Sequence, residues 1–190
     1  MRWPKINFPE KHPQLITERL ELKWPELIDA KELFEMRSDS NFTKFLARYP
    51  MKDISEAEDY IQNIHDGFKT EKGLSWKICQ KGSYILIGYI GFWAIDYTHF
   101  KTEIGYGIHP NFQQQGYLTE ALNAMVSYIF NQLGLHSIQA NADVENIATI
   151  RLLEKCGFEK QAHFKENYFF DGQFLDSAIY CRVNKKQMHS

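Results

Sequence analysis

Residues 104–120 read Ile-Gly-Tyr-Gly-Ile-His-Pro-Asn-Phe-Gln-Gln-Gln-Gly-Tyr-Leu-Thr-Glu, and no other stretch restricts the chain's folding so strongly. An apolar strand runs into Pro110, three glutamines and Gly116 follow, and a long amphipathic segment begins. That order builds a turn whose backbone N–H groups point outward at a helix N-terminus, where a phosphate or pyrophosphate can be held. Gln113-Gln-Gln-Gly-Tyr-Leu118 matches the pattern Q/R-x-x-G-x-G/A except at its last position. Gly116 lets backbone approach a ligand closely, and the helix dipole favours negative charge there by about 0.3–1 kcal/mol. Thr119 supplies a hydroxyl within reach of the same anion. The six residues fit equally an ordinary strand-to-helix loop with solvated glutamines.

Periodicity places the remaining elements around this turn. Residues 15–23 end in alternation at Leu20 and Leu22, as in a half-buried strand. Residues 26–37 and 55–69 carry apolar side chains at helical spacing. Strands are expected at 74–79 and 84–95, joined by a turn at Lys81-Gly-Ser83, and a further strand at 102–108. From Gly116 to Leu133 the apolar positions 118, 121, 122, 125, 126, 129, 130 and 133 trace one stripe, with Gly134 as C-terminal cap. A strand at 137–142 precedes a helix from Ile147 to Cys156, with Asn146 as N-cap and Gly157 as its stop. Two closing strands are expected near 158–164 and 175–183. The order β-α-α-β-β-β-α-β-α-β-β predicts a single α/β domain spanning 1–190 around one twisted mixed sheet, with 1–13 as an irregular lead-in.

Composition narrows the function classes. The 190 residues carry 22 basic and 24 acidic side chains without long runs of either sign. Bulk charge thus gives no reason to expect direct nucleic-acid or membrane binding. No stretch approaches the roughly 20 apolar residues of a membrane span. The three cysteines are far apart and the seven histidines show no H-x-x-x-H spacing, so neither a disulfide framework nor a metal site is expected. Together with the lack of an apolar leader, this points to a reducing cytoplasm. Cys156 reads as packing rather than as an acyl-accepting nucleophile, and His109 as a strand-end residue.

Three motifs stand in sequence: Glu103-Ile-Gly-Tyr-Gly-Ile-His-Pro110, the glutamine turn, and Asn146-Ile-Ala-Thr-Ile-Arg-Leu-Leu-Glu-Lys-Cys-Gly-Phe158. In them the chain resembles the GNAT N-acetyltransferase superfamily, and within it the ribosomal-protein N-terminal acetyltransferase (RimJ/RimL-like) branch. Thr17-Glu-Arg-Leu20 and Asp29-Ala30 resemble that branch's opening strand and first helix. Gly172, Asp176 and Tyr180 resemble its closing hairpin.

The resemblance implies acetyl-CoA as cofactor and a V-shaped splay between the strands at 102–108 and 137–142. It implies that Ile108 meets the pantetheine arm through its backbone, and that Gln113, Gln114, Gln115, Gly116, Tyr117, Leu118 and Thr119 surround the pyrophosphate. Asn141 and Asn146 join the cofactor contacts, and Thr149 stands near the thioester sulfur where the branch usually has serine. Leu118 replaces a small residue: its bulk either crowds the pyrophosphate or turns into the core. Glu103 takes the proton of an acceptor amine, or is a solvent-facing strand carboxylate.

The implied reaction is direct attack of the amine on the thioester. Backbone N–H groups around Ile108 polarise the carbonyl, and Thr149 or a water protonates the thiolate. The branch implies a protein N-terminal α-amine as acceptor, and a homodimer. Small-molecule amines (polyamines, amino sugars, antibiotics) and a CoA-binding module without catalysis remain as alternatives. A P-loop reading is disfavoured, since no G-K-[S/T] follows the turn.

Overall fold

The computed structural model describes residues 5–185, so residues 1–4 of the expected lead-in lie outside it. Eight strands form one sheet: β1 Leu15–Ile16, β2 Leu20–Lys23, β3 Gly73–Gln80, β4 Gly88–Asp96, β5 Lys101–Ile108, β6 Ser137–Asp143, β7 Glu159–Phe170 and β8 Gln173–Val183. Their spatial order is β1-β2-β3-β4-β5-β6-β8-β7. Every neighbouring pair is antiparallel except β5 with β6. The parallel step requires a crossover connection, and it is made by α4 (Tyr117–Tyr128), the helix that follows the glutamine turn.

The helices α1 (Ala30–Arg37), α2 (Ser40–Thr43) and α3 (Ile54–Lys69) precede the central strands, and α5 (Ile147–Lys155) joins β6 to β7. Side-chain alternation along β4 separates two apolar clusters. Ile90 and Phe92 join Leu20, Trp76 and the buried stripe of α4. Tyr89, on the opposite face, joins Leu33 and Met36 of α1 and Ile61 of α3. The sheet is thus covered on both faces, and the α1–α3 side carries the smaller cluster.

The stripe expected over 116–133 is buried, but the helix loses α geometry before its end: Ile129–Leu133 is a π turn closed by Gly134 at φ 84°. The expected strand at 84–95 starts later, at Gly88. Tyr84 and Ile85 are exposed, and a loop carries Leu86 into the second cluster. The closing hairpin is longer than expected and turns at Asp171-Gly172, both left-handed in φ.

The irregular segment before β1 is anchored by side chains. Ile6 is buried, Trp76 Nε1 donates to the Pro13 carbonyl at 2.6 Å, and His12 Nε2 lies 2.9 Å from the Ser75 carbonyl. His12 also packs against Trp24, Phe68 and Trp76. Burial lowers its pKa to about 4, against the Ser75 hydrogen bond that favours the proton. Because the folded value lies below the unfolded one, stability is full above the unfolded pKa and falls as pH drops towards the folded one. Between pH 7 and pH 5 the loss is about 1–2 kcal/mol, allowing for part exposure. Urea titrations at the two pH values measure it; an equal slope in His12→Asn would show that another group is responsible.

Candidate functional site

The site begins where two strands part. β5 and β6 pair only from Lys101↔Ser137 to Ile104↔Ala140. Beyond that point β5 stays paired with β4 up to Ile108, and β6 with β8 up to Asp143. The gap therefore opens between strands that are each held on their other side. His109 N–H donates to the Ile87 carbonyl, so alternation along an antiparallel ladder turns the backbone groups of Ile108 and Tyr106 away from β4. They face the gap, offering N–H and C=O groups that no strand uses.

At the wide end of the gap, the glutamine turn leads into α4. Gln114 (φ 59°) and Gly116 (φ 80°) are left-handed, and no side chain caps the helix. The first N–H groups of α4 thus remain available, in a setting that favours an anion. The turn is braced from outside by Arg19. Its Nη1 donates to the Gln115 carbonyl at 2.9 Å, its Nε to Glu120 at 2.7 Å, and its guanidinium lies over the Tyr117 ring. Burial raises the Glu120 carboxyl, but hydrogen bonds from Thr17 and Arg19 outweigh that and hold it below its ordinary range.

Two cavities meet across the gap. One, of about 420 Å³, lies over the turn and is lined by Ile108, Gln113, Gln114, Gly116, Tyr117, Leu118 and Thr119. The other, of about 450 Å³, lies over the narrow end of the V and is lined by Glu103, Asn141, Asp143, Arg37, Arg48 and Trp93. Tyr106, Asn146, Thr149, Phe45 and Leu46 border both. An elongated, phosphate-bearing molecule lying in the first cavity can present its far end at this junction.

Glu103 stands on the second cavity's side. Its carboxylate forms no hydrogen bond or ion pair with the described residues, and burial alone raises its pKa. A free carboxylate of that kind is a competent proton acceptor. Asn146 Oδ1 accepts the Thr149 N–H at 3.1 Å, capping α5 and leaving its own N–H₂ unpaired. The Tyr106 hydroxyl is buried beside Thr149. Burial keeps this phenol protonated, against the opposing influence of the threonine.

Glycines set the shape of this wall. A Cβ at Gly105 would meet Trp93 at 2.4 Å, and one at Gly107 would meet Phe42 at 2.5 Å. Those rings lie directly on the β5 backbone because no side chain intervenes.

The expected cofactor contacts gather in the first cavity with two exceptions. Gln115 turns its amide back to the Asn111 carbonyl, and Asn141 lines the second cavity, its amide donating to the Tyr168 hydroxyl. Leu118 turns towards the core, packing on the main cluster while one side forms cavity wall. Cys156 is buried with its thiol pushed up, away from both cavities. Sequence reasoning missed Arg19, Arg37 and the α2 region, whose Phe45 and Leu46 border both cavities. A strand-edge arginine with no local partner was the available signal for Arg19; nothing local marked the others. Among the described residues there is no group of three or more candidate metal ligands, and no helix long and apolar enough to cross a membrane.

Comparison with known proteins agrees with this fold. A family model described as an acetyltransferase (GNAT) domain matches residues 19–159. The chain is 33% identical over 175 residues to the uncharacterised N-acetyltransferase YoaA of Bacillus subtilis, covering 92% of this chain and 99% of that one. It is 28% identical over 162 residues to the spermidine N(1)-acetyltransferase of Vibrio cholerae, covering 85% and 91%. Among solved structures, the microcin C7 self-immunity acetyltransferase MccE, in complex with acetyl-CoA and AMP, superposes with a TM-score of 0.80 at 25% identity, covering 88% and 94%.

Proposed function

The chain belongs to the GNAT acetyltransferase family, and on that premise we propose that it acetylates a protein N-terminal α-amine by direct attack, as the ribosomal-protein branch implies. Acetyl-CoA is the cofactor, supplying an activated acetyl thioester. The observation that carries the reading is the junction, where a partly buried, unpaired Glu103 and the free backbone edge of β5 flank the end of the turn-side cavity.

Each residue has a part. The uncapped start of α4 and the left-handed turn at Gln114 and Gly116 hold the pyrophosphate. The β5 edge at Ile108 aligns the arm, and its N–H groups stabilise negative charge on the carbonyl oxygen. Glu103 receives the amine proton. Thr149 relays a proton from water to the departing sulfur, its own hydroxyl being restored in the same step.

The acceptor follows from proton affinity. An α-amine has a pKa of about 7.7–8.0, against about 10.4 for a lysine-type amine, so roughly a tenth or more is already neutral at pH 7. A carboxylate whose pKa is raised by burial suffices for such an amine. A polyamine is the second reading, motivated by the spermidine-acetylating relative. A thiol-release assay across peptides with free or blocked N-termini, spermidine and an aminoglycoside separates them. Turnover of spermidine without turnover of free-N-terminus peptides would overturn the α-amine reading.

Asn146→Ala removes a helix cap, costing about 1 kcal/mol of stability. It also removes an amide at the junction, so kcat is expected to fall further than that small destabilisation explains. Steady-state kinetics well below the unfolding temperature test this; unchanged kcat would confine Asn146 to capping.

A further inference from the structure

We propose that the acceptor amine carries an oxyanion, a carboxylate or phosphate, that is bound by Arg37 and Arg48 while the amine faces Glu103. The inference rests on the acetyltransferase reading and deepens it by naming the acceptor's second recognised group.

Arg37 stands at the end of α1 and is only 6% exposed, yet it lines the second cavity. Its Nη1 donates to the Tyr89 hydroxyl at 2.6 Å, and Nε is buried with no hydrogen-bond partner. None of the ion pairs among the described residues involves it; its nearest compensation is the faces of Tyr60 and Tyr89, 4.6 and 5.4 Å from the guanidinium carbon. A buried cation is ordinarily paired with an anion, because its desolvation is costly otherwise. Two rings and one phenol leave a planar, fork-shaped donor at the cavity wall without an anionic partner.

Arg48, exposed at the rim of the same cavity, likewise forms no ion pair in the described structure. Both arginines act electrostatically on the same two phenols, Tyr60 and Tyr89, so both guanidinium groups approach one region of the wall. Guanidinium geometry suits carboxylate and phosphate oxygens.

The opposite charge lines another part of the cavity. Glu103 and Asp143, from β5 and β6, border it along with the arginines. One oxygen of Asp143 already accepts the Glu145 N–H, whereas Glu103 is free. A cavity with two basic and two acidic side chains from different elements fits an acceptor that is cationic at one end and anionic at the other. It fits a polycation such as spermidine poorly, because that ligand would bring a second positive charge to a buried unpaired arginine.

The test uses the full chain with saturating acetyl-CoA and matched acceptors. One pair is a short peptide with a free α-amine and aspartate at its second position, against the same peptide with asparagine there. A second pair is 2-aminoethyl phosphate against ethanolamine; spermidine is a third arm. The expected result is a kcat/KM about 10- to 100-fold higher for the anionic member, expressed mainly in KM. The pair with the larger ratio identifies carboxylate or phosphate. In Arg37→Met the anionic-to-neutral ratio collapses towards one. Arg37→Lys, which keeps the charge but loses the fork, retains part of the preference and guards against a folding defect. Equal kcat/KM within both pairs, or a preference for spermidine, overturns the inference while leaving the acetyltransferase reading intact. If acetyl-CoA raises the unfolding temperature and no amine is turned over, the acetyltransferase reading itself fails, and this one with it.

Discussion

Glu103→Gln is expected to lower kcat by about 10²- to 10⁴-fold, the usual contribution of a positioned general base. The amide has nearly the volume of the carboxylate, and the native side chain makes no hydrogen bond that the substitution would break, so the fold should be unaffected. The pH dependence makes the test sharper. Only the ionised carboxylate accepts a proton, and burial raises its pKa. Wild-type kcat/KM therefore falls as pH drops through that raised value, and Glu103→Gln lacks this limb while keeping the one that belongs to the acceptor amine. Above about pH 8 most of an α-amine is already neutral, so the deficit of the variant should shrink there. A variant with unchanged kcat at pH 7, or with a deficit constant to pH 9.5, would remove Glu103 from proton transfer.

The second large effect is on stability. Lys77 on β3 and Asp29 at the start of α1 are 3% and 5% exposed at their side chains and form an ion pair at 2.7 Å. The other Asp29 oxygen accepts the Glu26 N–H at 2.7 Å, closing the turn Leu27–Asp29 that launches α1. Glu26 reaches Lys77 only at 3.9 Å, from a largely exposed position. Asp29→Ala therefore strands a buried ammonium and opens a helix start together. The expected cost is about 3–5 kcal/mol, equivalent to a Tm lower by roughly 6–20 °C for a chain of this size. Asp29→Ala combined with Lys77→Met removes the stranded charge and should recover more than half of the loss. A single variant within about 1 kcal/mol of wild type, or a double variant no better than the single, would show that the pair is solvated in the folded state. Since Arg37 ends the helix that Asp29 begins, a loosened α1 should also weaken acceptor binding more than acetyl-CoA binding.

Legibility in the sequence followed the range of the interactions. The stripe of α4, the Asn146 cap, and the left-handed glycines at 116, 134 and 157 are local properties, and each stands where spacing placed it. The longer closing hairpin also had a local signal, because Asp171-Gly172 is a strong two-residue turn. The short α2 left no comparable trace: four residues hold too few apolar positions to define a period. The late start of β4 is a tertiary result. Leu86 leaves the ladder to fill the space between α1 and α3, and burial there outweighs continued strand pairing.

The same division runs through the site. The turn-side cavity is built chiefly from one continuous strand–turn–helix unit and α5's cap, so Ile108, residues 113–119 and Asn146 could be named through the family resemblance that those contiguous motifs carry. Apart from Glu103 and Asn141, the acceptor-side cavity could not. It takes Arg37 from α1, Tyr89 and Trp93 from β4, Glu103 from β5 and Asp143 from β6, and it exists because β5 and β6 stop pairing after four residues. By itself the sequence determined a mixed α/β domain with a glycine-bearing turn at the start of its central helix, since backbone periodicity, capping and glycine conformation act over a few residues. Only the tertiary structure decided that a carboxylate and an unpaired buried arginine line the same cavity. Charges become neighbours through sheet order and helix packing, and neither is written in the spacing of residues along the chain.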